Sequence, residues 1–168
     1  SIALSMATEA IIAQRVGRKE FDLAHLQLKQ SLKMSLIGTT ILASFWLVFN
    51  QPILKMFTSD PNIIAIGFWV FFLGFLAEPM RTTNIIIGSA LRCAGDATFT
   101  SVSSIAVIWL FSVPLAYVLA VPFGLGIYGL LIAAILDETV RAVIKYFRWK
   151  ARKWQNYGVG VKDSTLAL

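Results

Sequence analysis

Forty consecutive residues, Ala97 to Leu136, carry no charged side chain. A helix needs about 20 apolar residues to cross a hydrocarbon core of about 30 Å, so this run suits two crossings rather than one. The break is expected at Pro122-Phe123-Gly124-Leu125-Gly126, a turn-forming cluster, which predicts spans over 98–121 and 126–147. A second run, Met34 to Leu54, predicts a span over 31–54. A third, Pro61 to Ala77, resumes after Glu78-Pro79-Met80-Arg81 and predicts a span over 62–91. Residues 1–16 read as the end of one more helix. Backbone polar groups in lipid must bond internally, which leaves helices or a closed barrel. Barrel strands alternate in hydropathy, and these runs are apolar on all sides. The expected fold class is all-α, a polytopic transmembrane helix bundle.

Composition agrees. The 168 residues are 57% hydrophobic and 14% charged, with mean hydropathy +0.72. A soluble domain needs more surface charge than that. A single cysteine, Cys93, excludes an internal disulfide framework, and a single histidine, His25, excludes His-pair metal motifs. His25 falls in a predicted loop and Cys93 at a helix end. With no nucleophile–base pair and no metal-ligand set, an enzyme is not expected. The chain begins at Ser1 within an apolar run, without a signal-peptide pattern, and is expected to be a segment of a longer protein.

The net charge of +6 is segregated. Arg15, Arg18, Lys19, Lys29 and Lys33 fill the first predicted loop. Lys145, Arg148, Lys150, Arg152 and Lys153 surround the last helix end and the tail, 151–168. The loops between alternate between Arg92 and near neutrality. By the positive-inside rule the basic side, including the C-terminal tail, is cytoplasmic, in a multi-pass protein of the cell (plasma) membrane. Trp149, Trp154 and Tyr157 sit among the tail cations, as an interfacial aromatic belt would. The expected partners of this basic face are anionic membrane lipids, and no nucleic acid.

Chemistry should lie in polar groups at membrane depth. A charge at the centre of a span costs about 2.5–3.5 kcal/mol, where a leucine returns only about 0.3–0.6. Glu78 and Arg81, three residues apart, share a helix face. Pro79 between them removes one helical hydrogen bond and should kink the helix, freeing the Phe75 carbonyl. Thr82, Thr83 and Asn84 extend this polar stretch. Two readings stand: a buried polar kink, or a span that ends at Ala77 with an interfacial segment after it. Asp137, Glu138 and Arg141 form a second group near the membrane midplane. Arg141 can neutralise only one of the two carboxylates well. The other must find a partner on another helix, bind a cation or hold a proton. Structural ion pairing and an ion site are both open for this group. Glu9 is a third acid, near the end of the first helix. Gly67 and Gly74, on one face, suggest close helix packing. Phe68, Trp69, Phe71, Phe72 and Phe75 either face lipid or line an aromatic pocket.

Several segments carry a resemblance. They are Ala13-Gln14-Arg15-Val16-Gly17, the loop from Gln51 to Pro61 with its Phe57-Thr58-Ser59-Asp60-Pro61, and Ala90-Leu91-Arg92-Cys93-Ala94-Gly95-Asp96. Two more follow, Gly124-Leu125-Gly126-Ile127-Tyr128-Gly129 and Leu136-Asp137-Glu138-Thr139-Val140-Arg141. In order and spacing they resemble the C-terminal half of the multidrug and toxic compound extrusion (MATE) antiporters, over about residues 1–154. The resemblance implies a transporter of two six-helix lobes, of which 1–150 would form most of the C-terminal lobe and the N-terminal lobe would be a partner. It departs from the family at Arg81, where the family's tenth helix often carries an acid. Here the acid, Glu78, lies one turn earlier.

The function so implied is secondary active transport: a cation- or proton-coupled antiporter exporting drugs or other organic, often cationic, compounds. No cofactor is expected beyond a coupling ion, H+ or Na+. The candidate ion-coupling and transport residues are Glu78, Arg81, Asn84, Asp137, Glu138, Arg141 and Glu9, with Pro79 as the helix kink. A flippase of the same broad superfamily, moving lipid-linked oligosaccharides, is the alternative, and Arg81 with Arg141 would serve its basic cavity.

Overall fold

The computed structural model describes residues 2–156. Seven α-helices make up nearly all of this span: α1 Ile2–Gly17, α2 Phe21–Val48, α3 Asn50–Phe57, α4 Pro61–Cys93, α5 Ala97–Val107, α6 Val113–Ala120 and α7 Gly126–Lys150. A π-helical turn, Ile108–Ser112, joins α5 to α6, and a 3₁₀ turn, Lys153–Asn156, follows α7. The described residues contain no strand. This is an all-α transmembrane helix bundle. Tyr157 and the rest of the tail, 158–168, lie outside the described residues.

Three helical stretches are long and apolar enough to cross a membrane: Phe21–Val48, Pro61–Cys93 and Ala97–Ala120. The fourth expected span, α7, has 25 residues and a rise of about 37 Å. Its middle, however, carries Asp137, Glu138, Arg141 and Lys145.

Local chemistry explains the boundaries. Helix α2 starts at Phe21 rather than 31, because Lys29 and Lys33 lie on its exposed side instead of in a loop. It stops at Val48 rather than 54. Pro52 has no N–H to give the Val48 carbonyl, so the ladder is interrupted and α3 begins at Asn50. The Asn50 side chain donates back to the Leu47 carbonyl across this break. Asp60 caps α4, its carboxylate accepting from the Asn62 amide at 2.8 Å, with Pro61 in the first helical position. Pro79 does not break α4, which runs as one helix from Pro61 to Cys93. Pro114 is accommodated differently. Its ring would crowd the carbonyl of Leu110, and the widened turn Ile108–Ser112 sits just there.

Helix α4 is the hub, packed against α7, α2 and α1. Only its second half is buried, from Thr82 to Leu91. The apolar core gathers at that end of the bundle: Ile12 and Val16 of α1, Ala24 and Leu28 of α2, Ile86, Ile87, Ala90 and Leu91 of α4, and Trp149 with Trp154. Trp149 and Trp154 are therefore core residues rather than an interfacial belt. Their rings stack 4.4 Å apart, and Phe21 meets Trp154 edge-on. His25 is likewise not in a loop. It lies in α2, and its Nδ1 accepts from the Trp149 indole N–H at 3.0 Å. Away from this core, large apolar side chains such as Ile41, Phe45, Trp109 and Leu110 stand exposed on the outer faces, as lipid-facing residues do.

Candidate ion-coupling and substrate site

Every fourth residue of α7 along one stripe is Gly129, Ala133, Asp137, Arg141, Lys145 and Trp149, and all but Arg141 are buried. The stripe brings charge into the α4–α7 contact. The Arg141 guanidinium bonds the Asp137 carboxylate one turn earlier and stands 3.6 Å from Glu138 Oε1. Glu138 finds its second partner on another helix: Asn84 of α4 donates to Glu138 Oε2 at 2.6 Å. The other end of the same amide accepts from Lys145 Nζ at 2.7 Å. Asn84 thus bridges an ammonium and a carboxylate, both held on α7. Asp137 keeps its Oδ1 buried with no hydrogen-bond partner among the described residues, and Arg141 does the same with its Nε.

Glu9 joins from α1. Its carboxylate lies 3.3 Å from Arg92 Nη2, which also donates to Ser89 Oγ at 2.8 Å. A Cβ built on Gly88 would lie 3.2 Å from Lys145 Nζ and 3.5 Å from Arg92 Nη1, so two cations converge on that glycine. Of the candidates, the structure therefore gathers Asn84, Asp137, Glu138 and Arg141 into one network and sets Glu9 beside it through Arg92.

Glu78 and Arg81 stand apart. They pair at 3.8 Å, and the Arg81 side chain is 60% exposed. Asn84, six residues on, lies about 120° around the helix from Glu78. Glu78 instead closes one end of a cavity of about 390 Å³ between α2 and α4, lined by Thr39, Trp46, Phe71, Gly74 and Phe75 among others. Gly74 has open space where a Cβ would be, so it widens the cavity rather than packing two helices. Gly67 does pack closely, against the Leu54 side chain of α3. The aromatic run divides: Phe71 and Phe75 line the cavity, while Phe68 and Trp69 lie partly exposed beside α3. The polar stretch after Pro79 is satisfied partly within α4 and partly by neighbouring helices. Thr83 Oγ1 donates to the Pro79 carbonyl at 2.8 Å, and Thr82 Oγ1 to Thr39 Oγ1 at 3.3 Å.

Sequence reasoning missed Lys145 and Arg92 as members of the network, reading both as cytoplasmic charges. The signal for Lys145 was present: it lies four residues past Arg141 and eight past Asp137, on the same stripe. It missed too the clamp between Arg148 and Asp96, in which Arg148 Nε donates to Asp96 Oδ2 at 2.7 Å while the guanidinium covers the Phe99 ring at 4.3 Å.

The MatE family model matches residues 1–118, well over half of the chain. The chain belongs to the MatE family. It is thus a chain of a membrane-embedded transporter family. Helix α7 lies beyond the matched residues, but individual relatives extend over it. An uncharacterized transporter, YisQ of Bacillus subtilis, is 33% identical over 94% of this chain and 34% of its own length. A probable multidrug resistance protein, NorM of Thermotoga maritima, is 26% identical over all of this chain and 36% of its own length. The corresponding NorM of Pasteurella multocida is 25% identical over 89% of this chain and 33% of its own. The MatE-family chain therefore spans about a third of the length of these relatives. No solved structure gives a significant match.

Proposed function

We propose that this chain forms part of a cation- or proton-coupled antiporter that exports organic, often cationic, compounds across the cell membrane. The observation that carries this reading is the Glu78 cavity. Aromatic faces attract organic cations and an acid at the end of the trough fixes the charge, while about 390 Å³ suits a small drug-sized molecule. The names of the NorM relatives point the same way. In this reading the chain works with an N-terminal lobe, its basic end faces the cytoplasm, and membrane lipids surround it.

Alternating access supplies the mechanism. Exchange requires that a coupling ion and the substrate favour different arrangements of the transporter. Glu78 is the acid that would take a coupling proton or the substrate cation in turn, and Arg81, 3.8 Å away, is the partner that such a ligand would displace. Glu138, bonded to Asn84, ties α7 to α4, and Arg141 joins it to Asp137, so charge changes in this network are felt by both helices.

A flippase for lipid-linked polyanionic sugars would call for unmatched cations along a cavity. Here Arg141 is engaged by Asp137 and Glu138, and Arg81 by Glu78. The test is Glu78→Gln in the transporter. Ion-driven efflux of a cationic dye should vanish while expression and membrane insertion remain normal, and unchanged efflux would refute the role of Glu78.

A further inference from the structure

The two ends of the Asn84 amide hold opposite charges, and this arrangement has a chemical consequence. Lys145 is only 6% exposed. Its ammonium sits 2.7 Å from Asn84 Oδ1, on the same amide that donates to Glu138. An amide oxygen and a carboxylate at membrane depth are ligands that a small hard cation takes. Here a tethered ammonium takes the amide oxygen, and the carboxylate takes the other end of the same amide. Gly88 leaves room for the ammonium, since a Cβ there would lie 3.2 Å from Nζ.

The charge count is closed as well. Glu9, Asp137 and Glu138 face Arg92, Arg141 and Lys145 in the α1–α4–α7 network. Three acids meet three bases with no added ion. A further metal cation would bring an unmatched positive charge between α4 and α7, where Asn84, Asp137 and Lys145 are buried, which is strongly unfavourable. We propose that Lys145 is a built-in counter-ion to Glu138 across the Asn84 amide, standing in for a monovalent metal cation, so that the α4–α7 network takes no Na+ and coupling through it is to protons. The coupling part of this statement rests on the antiport reading given above, whereas the exclusion of Na+ does not.

The experiment measures binding of radioactive sodium to the purified protein over the millimolar range. Five forms are compared: the unaltered protein, Glu138→Gln, Lys145→Met, Lys145→Arg, and the double variant Lys145→Met with Glu138→Gln. Lys145→Met keeps most of the stem but removes the charge, and should gain one saturable Na+ per chain. The other four should bind none, because either the fixed positive charge is present or the carboxylate is gone. Saturable Na+ binding to the unaltered protein that is lost in Glu138→Gln overturns the proposal. So does a folded Lys145→Met that binds no Na+, the outcome expected of a lysine that merely braces two helices. If Lys145→Met does not fold, Lys145→Gln decides, since it removes the charge but keeps a donor for Asn84, and should bind Na+ where the unaltered protein has none. In liposomes, a sodium gradient should drive dye movement only in Lys145→Met. Dye that moves under no gradient at all counts against the antiport reading, and the binding comparison still decides the role of Lys145.

Discussion

The motif Ala90-Leu91-Arg92-Cys93-Ala94-Gly95-Asp96 shows residue by residue why such a string has a fixed order. Ala90 and Leu91 are fully buried core. Arg92 reaches Glu9 and Ser89. Gly95 adopts φ +93 past the helix end, a conformation that favours glycine, and the Asp96 amide then bonds back to the Leu91 carbonyl at 2.9 Å. The Asp96 carboxylate takes Arg148 from the far end of the chain. The spacing was legible in the sequence; its partners were not, because Glu9 and Arg148 lie 83 and 52 residues away. Asn84 is the residue on which most depends. Asn84→Ala deprives both Lys145 and Glu138 of a buried bond, and should lower the stability of the protein in detergent by about 3 kcal/mol, read from its unfolding transition. A loss within error of zero would mean that water replaces the amide.

At the scale of helices, apolar runs identified where helices lie but not where they end. Uncharged length located α4 and the paired helices on either side of Pro122. It placed α2 too late, because exposed lysines on a helix look like loop lysines when only charge is counted. The same habit assigned Lys145 to the surface, although the four-residue repeat of α7 puts it on the buried stripe. Close approach is a further element-level property. A Cβ on Gly129 would fall 2.7 Å from the Leu119 backbone, so α6 and α7 touch there. Gly129→Val should destabilise the protein by about 1–3 kcal/mol through overpacking, seen as a lower melting temperature. Gly74→Leu should leave melting unchanged, since nothing lies within 4 Å of its Cβ position, yet fill the Glu78 cavity and block dye export. Equal loss of stability at both glycines would contradict this distinction between a contact and a cavity wall.

Among the described residues the apolar core lies at the end where basic residues gather, and the outer faces carry many exposed large apolar groups. Composition and hydropathy made the bundle legible, since no water-exposed surface tolerates so many large apolar groups. Orientation adds a prediction at this scale. In a Cys93→Ser background, a cysteine at Arg18 should react with a membrane-impermeant maleimide only from the cytoplasmic side, and one at Ser59 only from the opposite side. Both positions are exposed, and a reversed pattern would turn the account upside down. The division of labour between the Glu78 cavity and the balanced α4–α7 network is a property of the assembled helices that residue spacing along one helix does not contain. The most direct test of the central claim is transport itself. With the transporter carrying this chain in sealed vesicles, an imposed proton gradient should drive a cationic dye against its own gradient, and Glu78→Gln should abolish this drive. Dye movement that ignores the proton gradient, or that persists unchanged in Glu78→Gln, would contradict it.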